Sequence, residues 1–319
     1  MTILKKIAAA AVAGMLLFGA AGCNGEEAAI GNIGDVTLEP GDVYAVIHLM
    51  DYGEITAKLF PEAAPESVKR FTELAERGYY EMKTIHRVID DYAIQGGSLS
   101  GDGSDGEVPD ADYVPLEAND AARHFYGALC FATNSKGSFA QFYIVSNNKP
   151  QDVNTVIETL SGQLADKEFA DRLLPEDKQY YEDYLAKLKS FSPEVVEKYA
   201  SVGGLYQLDG EATVFGQVID GYDVLEAISS CEVVTGNEMD DRAGIPSKPI
   251  NSIVIEKVEI IRIEPEESTE SETSAKKGNK KTEETTPEII AESITTTPPP
   301  ETTPEETTEH TLDTLISLG

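Results

Sequence analysis

The most informative stretch of the chain reads Ile85-His86-Arg87-Val88-Ile89-Asp90-Asp91-Tyr92-Ala93-Ile94-Gln95-Gly96-Gly97. Its arginine lies among apolar residues, and a guanidinium is a planar group of five donors that keeps its charge. Gln95 adds a neutral donor and acceptor, and the two glycines allow another part of the backbone to approach closely. Two interpretations follow. The stretch is either the wall of a site whose one strong donor binds an amide carbonyl or nitrogen, or a strand whose Arg87 pairs with a structural carboxylate.

Short strands are predicted on both sides of this stretch. Residues 43–49 are rich in β-branched and aromatic side chains, residues 55–59 alternate strictly, and Asp51-Tyr52-Gly53 between them favours a hairpin. Further strands are predicted at 127–133, 141–145, 212–218 and 253–263. The last of these loses the phase of its alternation near Lys257, which indicates a β-bulge.

Three segments have helical patterns. Pro65 begins a helix whose apolar residues share one face, and Gly78 ends it. A second helix is predicted at 222–229. Apolar residues at helical spacing make the region 150–200 an insertion of two or three amphipathic helices, broken near Pro175 and Pro193. Short strands, few helices and no strand–helix alternation predict a mainly β fold, a closed antiparallel barrel or a sandwich, with one helical insertion.

The N-terminus has the pattern of an export signal. Residues 1–22 combine two lysines, a short apolar run and small residues, and the run is too short to span a bilayer as a mature helix. Ala-Gly-Cys at its end resembles the lipobox of bacterial lipoproteins and predicts acylation of Cys23, although Ala20 stands where leucine is usual. Residues 23–40 are then a polar linker. An ordinary cleaved signal with a coincidental cysteine is the alternative.

The C-terminal segment 265–319 is rich in Thr, Glu and Pro and contains no Phe, Trp or Tyr. Such a composition cannot bury enough apolar surface to offset the loss of chain entropy, so this tail is predicted to be disordered. An unmodified tail is the preferred interpretation, and O-linked sugar on its threonines or a spacer role is the alternative. The predicted folded domain is 41–264.

Composition excludes several classes of function. The net charge of −32 opposes binding to nucleic acid, because displacing the counterions of a polyanion requires a basic surface. The chain has no Cys/His cluster with the spacing of zinc ligands and no glycine-rich phosphate-binding motif. Cys130 lies in an apolar run and is interpreted as a core thiol, while pairing with Cys231 stays an open alternative.

Five short motifs together resemble the cyclophilins. In chain order they read His86-Arg87-Val88-Ile89, Gln95-Gly96-Gly97, Gln141-Phe142-Tyr143-Ile144, Leu208-Asp209-Gly210 and Val214-Phe215-Gly216-Gln217-Val218. Glu117 and the segment 124–129 also resemble the family, and the resemblance covers about 43–264 apart from the insertion. It implies an eight-stranded antiparallel barrel capped by two helices, which catalyses cis/trans isomerisation of X-Pro bonds without a cofactor or a metal.

The resemblance also implies the site. Arg87 matches the family's catalytic arginine, which would hydrogen-bond the proline carbonyl and steer electron density onto the imide nitrogen, and Gln95 would orient the substrate backbone. The matching substrate-binding positions are Tyr92, Ala93, Ala132, Thr133, Gln141, Tyr143, Leu208 and Ala212. No chemical role is assigned to His48, His86 or His124, because a histidine on a strand is more often structural than catalytic.

Several positions depart from the family's pattern. Tyr92 and Tyr143 stand where phenylalanine is usual, and Ala212 stands where histidine often lines the proline pocket. Gln207 replaces a frequent tryptophan or histidine. The pocket is therefore expected to be wider and more polar at its rim, and the packing lost around a proline ring corresponds to about 1–3 kcal/mol of binding. Because Arg87 keeps the electrostatic contribution, weaker activity rather than none is expected.

Three hypotheses for the function follow. The first is a monomeric peptidyl-prolyl isomerase, lipid-anchored on the extracytoplasmic face of the cell membrane, that acts on Pro-containing segments of exported proteins. The second is a weakly active or inactive module of the same fold that binds Pro-containing peptides. In the third, the insertion docks another envelope protein, although its tyrosines at helical spacing, among them Tyr180 and Tyr184, are interpreted as core residues.

Overall fold

The computed structural model describes residues 39, 41–104, 113–134 and 137–263. The signal peptide 1–22, the acylated Cys23, nearly all of the linker 23–40 and the tail 265–319 lie outside these residues and stay predictions. Within the described ranges, no helix is both long enough and apolar enough to cross a bilayer.

The described part of the chain contains ten strands. They are β1 Val43–Leu49, β2 Gly53–Leu59, β3 Thr84–Ile89, β4 Ala93–Gly96, β5 Ala128–Asn134, β6 Gly137–Val145, β7 Val214–Asp220, β8 Val233–Val234, β9 Lys248–Pro249 and β10 Ile253–Arg262. Eight of them close into an antiparallel barrel in the order β1-β10-β3-β4-β6-β5-β7-β2, while β8 and β9 form a separate pair. The closed barrel is confirmed, and the sandwich that composition alone had left open is excluded.

The helices in the same ranges are α1 Pro65–Glu76, α2 Val153–Ala165, α3 Lys167–Ala170, α4 Pro175–Lys189, α5 Pro193–Val202, α6 Tyr222–Ser229 and α7 Glu238–Arg242, with a 3₁₀ turn at Tyr206–Leu208. Helices α1 and α6 pack on the barrel, because Phe71 of α1 and Leu225 of α6 are fully buried members of its core. The α1 helix starts and ends as its proline and glycine predict. Its first backbone N–H groups, those of Glu66 and Ser67, donate to the Glu117 carboxylate at 3.0 and 2.8 Å.

Alternation along the strands separates the inside of the barrel from the outside. Val88, Ile94, Ile144 and Leu129 are successive register partners on β3, β4, β6 and β5, and all four belong to the buried core. Since neighbouring residues in a strand point to opposite faces, the residues beside them point outward. The outer face of these four strands therefore carries the side chains of Arg87, Gln95, Tyr143 and Cys130.

Two local predictions are met by the backbone, one of them incompletely. His48 pairs with Lys257 but Leu49 pairs with Ile255, so β10 has the bulge that its change of phase predicts. The stretch 85–97, which one interpretation made a single strand, forms a whole hairpin, β3–β4. Its turn is tight, because the Tyr92 N–H donates to the Ile89 carbonyl at 3.2 Å and Asp91 has a φ of 53°.

The insertion consists of α2 to α5 and has its own small apolar cluster. Its buried members are Phe125, Val153, Leu188 and Tyr199. Helices α4 and α5 begin at Pro175 and Pro193, where breaks were predicted, and α3 is an additional short helix. The interpretation of the tyrosines as core residues is wrong for Tyr180, which is 45% exposed, because only one face of α4 reaches the cluster.

Candidate active site

Strand register brings the predicted site residues together. Arg87 on β3 pairs with Gln95 on β4, and Gln95 pairs with Tyr143 on β6. Tyr143 pairs in turn with Cys130 on β5, which pairs with Val214 on β7. Directly opposed residues on antiparallel strands project to the same side of a sheet. These side chains therefore form one row across the outer face of the barrel, which we call the outer row.

A bulge in β3 lies at the start of the outer row. Ile85 pairs with Gly96 whereas Arg87 pairs with Gln95, so β3 has one residue more than β4 between these pairs. Bulges occur often beside active sites, where they re-aim a side chain. Gly96 is needed here, since a Cβ at this position would lie 2.6 Å from Cδ1 of Ile85.

Arg87 is bound by the carboxylate of Asp240, which lies 153 positions further along the chain. Its Nε donates to Oδ2 of Asp240 at 2.7 Å, and its Nη2 donates to Oδ1 at 2.8 Å. Burial alone lowers the pKa of Arg87 and raises that of Asp240, but the hydrogen bonds and charges of the pair reverse both shifts, so the pKa of Arg87 is raised and that of Asp240 is lowered. Both groups are therefore charged, and the guanidinium is fixed in one plane.

Asp240 is itself held by its neighbours. It lies on the short helix α7, and its carboxylate also accepts a hydrogen bond from the Ser247 hydroxyl. The Asn237 amide donates both to that hydroxyl and to the His86 carbonyl, 2.6 and 3.3 Å away. A second set of contacts thus ties the segment 237–247 to the strand that carries Arg87.

Gln95 and Gln141 continue the polar part of the outer row. Nη1 of Arg87 lies 3.5 Å from Oε1 of Gln95, and Nε2 of Gln95 donates to Oε1 of Gln141 at 3.0 Å. Nε2 of Gln141 donates to the Gly103 carbonyl at 3.3 Å. The side chains of two glutamines and one arginine are thereby linked along β3, β4 and β6, next to the loop that follows β4.

The apolar part of the site is a second hydrophobic cluster, separate from the barrel interior. We call it the groove cluster, and it contains six of the eight positions predicted to bind substrate: Tyr92, Ala93, Ala132, Tyr143, Leu208 and Ala212. Cys130 and Val214 of the outer row are also members. The guanidinium of Arg87 lies 5.8 Å from the ring centroid of Tyr92, so the charged end of the site adjoins this cluster.

Two predicted positions lie outside the groove cluster. Thr133 follows Ala132 on β5, is exposed, and donates its hydroxyl to the Phe131 carbonyl at 3.3 Å. Gln141 belongs to the polar chain already described. Both are polar, and they lie two positions or fewer from cluster members on the same strands, so they border the apolar surface rather than form it.

A buried hydrogen-bonded network lies behind Tyr143. Its hydroxyl is 2.9 Å from Nε2 of His124, whose Nδ1 is 3.0 Å from Oδ1 of Asp209. Because a carboxylate can only accept, Nδ1 of His124 donates to Asp209. Burial raises the pKa of Asp209, but hydrogen bonds from His124 and Tyr199 outweigh it and the net pKa is lowered. The network therefore combines a carboxylate anion with a protonated phenol.

Cys130 is a buried free thiol, as predicted, and Cys231 is also free. Burial raises the pKa of the Cys130 thiol well above its ordinary value, so it stays protonated. A protonated thiol is a poor nucleophile, and its position beside Tyr143 makes Cys130 a packing residue of the groove cluster.

The sequence reasoning missed Asp240, Asp209 and His124. Asp240 is 153 positions from Arg87 and has no motif around it. Asp209 had a signal, because it lies in the motif Leu208-Asp209-Gly210, in which Leu208 was predicted to bind substrate. His124 was left without a role, and the structure shows what it contacts, a tyrosine of the groove cluster.

Together these residues place a charged fork of donors and a neutral amide at the edge of an apolar surface. Such an edge suits an extended peptide with an apolar ring and a nearby carbonyl. Arginine does not exchange its proton under physiological conditions, so the arrangement can polarise a carbonyl without acid or base chemistry.

Comparison with protein families gives one matching model. The family described as "Cyclophilin type peptidyl-prolyl cis-trans isomerase/CLD" matches residues 44–168 and 195–260. The matched ranges contain every residue of the site on the barrel. The unmatched residues between them, 169–194, belong to the helical insertion.

Individual relatives agree with the family model. The chain is 34% identical over 227 residues to a protein of Staphylococcus saprophyticus named "Putative peptidyl-prolyl cis-trans isomerase", an alignment covering 70% of this chain and 94% of the relative. It is 32% identical over 226 residues, with the same coverage, to a protein of the same name from Staphylococcus aureus.

Solved structures of Cryptosporidium parvum cyclophilin-type peptidyl-prolyl cis-trans isomerase also resemble this chain. One is 21% identical with a TM-score of 0.46 and covers 69% of this chain and 98% of its own. Another, solved in the presence of the dipeptide Ala-Pro, is 22% identical with a TM-score of 0.45 and covers 68% and 98%.

Proposed function

Because the chain belongs to the cyclophilin-type peptidyl-prolyl cis-trans isomerase family and is such an isomerase, we propose that it acts on X-Pro bonds of exported proteins outside the cytoplasm. We propose further that acylated Cys23 anchors it to the cell membrane, and that Arg87 and Gln95 are its catalytic residues. The substrates are Pro-containing segments of extended chain, and the protein works as a monomer.

The observation that carries the site assignment is the contact between its two parts. The Arg87–Gln95 pair lies on the outer row directly beside Tyr143, a member of the groove cluster. A proline ring on that cluster brings its own carbonyl toward the guanidinium. The structural carboxylate and the ligand-binding wall, which were alternatives for Arg87, are then compatible.

The chemistry requires only that the twisted amide be favoured. Resonance in the X-Pro amide imposes a barrier of roughly 18–20 kcal/mol, so the uncatalysed reaction takes tens of seconds or more. A cation near the proline carbonyl and imide nitrogen stabilises the nitrogen lone pair that forms when the bond twists. Interactions that are stronger in the transition state than in either planar state lower the barrier.

Asp240 leaves part of the guanidinium available for this purpose. It accepts two of the five N–H groups, those of Nε and Nη2, so three N–H groups remain. Oε1 of Gln95 lies 3.5 Å from Nη1, a long contact that a substrate carbonyl can replace. Because the bidentate pair fixes the plane of the fork, the remaining donors point in a fixed direction.

The membrane location rests on the sequence alone. The lipobox-like Ala-Gly-Cys follows an export signal, and single acyl chains bind membranes weakly whereas diacylated cysteines anchor stably. An isomerase anchored there would meet exported chains as they fold. The net charge of −32 opposes adhesion of its surface to anionic lipid.

Isomerisation of a Pro-containing peptide by the mature protein tests the site. We expect Arg87→Ala to lower kcat/KM by about 100-fold or more, as expected for removal of a donor that stabilises a transition state. Arg172→Ala is the matched control, since Arg172 is an exposed arginine of the insertion, and it should leave kcat/KM unchanged. Equal rates for the wild type and Arg87→Ala would overturn the catalytic assignment, and if both were as slow as the uncatalysed reaction they would favour a module that only binds.

Mass spectrometry of the protein purified from membranes tests the anchor. We expect an N-terminal peptide that begins at Cys23 and carries acyl chains. Cys23→Ser should release the protein from the membrane fraction while its isomerase activity is retained. Recovery of an unmodified, secreted wild-type protein would contradict the anchor and leave the activity assignment intact.

A further inference from the structure

We infer that the helical insertion supports the substrate pocket from behind, because Tyr199 on α5 positions the pocket ring of Tyr143 through Asp209 and His124. This inference rests on the proposed role of Tyr143 in binding the proline ring. It gives the insertion a function that does not depend on a docking partner, and it makes Tyr199, Asp209 and His124 positioning residues for the isomerisation.

The side chains of Tyr199, Asp209, His124 and Tyr143 form an unbroken chain of hydrogen bonds, which we call the relay. The Tyr199 hydroxyl donates to Oδ2 of Asp209 at 2.8 Å, and Oδ1 of Asp209 is 3.0 Å from Nδ1 of His124. Nε2 of His124 is 2.9 Å from the Tyr143 hydroxyl. All four residues are buried, and Tyr199 is fully buried. Water therefore does not compete for these bonds, and loss of one leaves a polar group without a partner.

The backbone also joins the insertion to His124. The Leu205 N–H, just after α5, donates to the His124 carbonyl at 2.8 Å. A Cβ on Gly204 would lie 2.3 Å from that carbonyl oxygen, so this crossing requires glycine. The ring of the next residue, Phe125, lies 4.5 Å from that of Tyr199. The exit of the insertion and the segment before β5 are thus held as one unit.

The guanidinium of Arg123 also binds the relay, at Asp209. Nη1 of Arg123 donates to Oδ2 of Asp209 at 3.0 Å, and the Arg123 guanidinium lies 4.6 Å from the ring centroid of Phe191 in the insertion. The backbone N–H of His124 donates to Oδ1 at 2.9 Å. Asp209 therefore receives four donors from two parts of the chain, which fixes its position and that of the imidazole.

This relay explains why the groove has a tyrosine. A phenylalanine at position 143 is held by packing alone, whereas the Tyr143 hydroxyl is tied to His124. Its ring is also nearly parallel to the imidazole, at an interplanar angle of 14°. Fixing the ring before the substrate arrives reduces the conformational entropy lost on binding. The side chains of the insertion thereby contribute to the rate.

The test is a double-mutant cycle in the full-length protein. Tyr199→Phe removes one hydroxyl and keeps the ring, and we expect kcat/KM to fall about 2- to 10-fold, the range that one hydrogen bond supplies. Tyr206→Phe is the matched control, since Tyr206 packs 5.8 Å from Tyr199 and shares a hydrogen bond with Tyr184 rather than Asp209. It should leave kcat/KM unchanged.

The cycle separates positioning from stability. In a Tyr143→Phe background, Tyr199→Phe should have no further effect on kcat/KM, because the relay no longer reaches the ring. Losses that multiply in the double variant, or a Tyr199→Phe protein with a lower Tm and unchanged kcat/KM, would overturn the inference. In both cases the proposed function stands if the wild type is active and Arg87→Ala lowers its kcat/KM about 100-fold or more. An inactive wild type would overturn the proposed function and this inference together.

Discussion

The charged part of the site, at Arg87, and the apolar part, at Tyr143, are each held by a network of hydrogen bonds. The two networks differ in their exposure to solvent. The guanidinium side chain of Arg87 is 27% exposed and that of its partner Asp240 is 9% exposed. On the apolar side, the side chains of His124 and Asp209 are 1% and 6% exposed. One network keeps part of a charge accessible, and the other is closed to solvent.

The difference follows from what each network presents to a substrate. Arg87 has to present charge and donors, so it lies at the rim and needs a counter-charge to hold its direction. Tyr143 presents the face of a ring, so its polar end can be fixed entirely from within. Disruption of the Arg87–Asp240 pair, the rim pair, should therefore mainly change the rate, whereas disruption of the Tyr143–His124–Asp209 network, the closed network, should lower stability as well as the rate.

The largest effect is expected for Asp209→Ala. Removing this carboxylate leaves Arg123 and three other buried donors without their acceptor, and loss of one partner of a buried charge pair costs about 3–5 kcal/mol of unfolding free energy. Urea unfolding followed by circular dichroism measures it. Asp120→Ala removes the exposed second partner of Arg123 and should not change the midpoint measurably. Equal urea midpoints for Asp209→Ala and Asp120→Ala would show that the closed network does not stabilise the fold.

A smaller effect, on rate, is expected for Asp240→Asn. The amide keeps one acceptor but loses the charge that fixes the Arg87 fork, and we expect kcat/KM to fall about 10-fold with a smaller loss of stability than in Asp209→Ala. Asp241→Asn on the same helix is the control. An increase in kcat/KM would reverse the interpretation, because it would mean that Asp240 competes with the substrate for Arg87.

Acid should weaken both networks in the same direction. The pKa values of Asp209 and Asp240 are lowered in the folded protein, so each carboxylate adds stability above its unfolded pKa near 3.9, and that stability is lost as the pH falls through the lowered folded value. Each pKa unit corresponds to about 1.4 kcal/mol. Unfolding measured from pH 6 to pH 2 should show a smaller acid loss in Asp240→Asn than in the wild type. An identical loss of stability in acid for Asp240→Asn and the wild type would contradict a contribution of the Arg87–Asp240 pair to stability.

Much of this site could be predicted from the sequence because alternation and motif order are local. Arg87, Gln95 and Tyr143 are register partners. Arg87 and Gln95 stood out within the stretch 85–97, and the resemblance to the cyclophilins implied the role of all three. Two-residue periodicity decides which side chains share a face. Once the strands pair in the barrel order, the outer row follows.

The partners behind the site could not be predicted, because they depend on long-range packing. Asp240 lies on a five-residue helix that no periodicity reveals, and its contact with Arg87 requires the chain to return across the barrel. Tyr199 comes from the insertion, whose helices were predicted without any indication of what they pack on. His124 lies in the segment before β5, and nothing in the sequence around it separates a positioning role from a purely structural one.

The smallest effect is expected where neither network reaches. Ala212 is a half-buried member of the groove cluster, where the family often has a larger residue, and Ala212→Val adds apolar surface facing the same cluster. At about 0.8 kcal/mol for each buried methylene, we expect KM for a Pro-containing peptide to fall about 2- to 4-fold with kcat unchanged. Ala121→Val, at an exposed position, is the control. A higher KM would mean that the groove is already filled at this wall, and that its rate is set by Arg87 and Tyr143 alone.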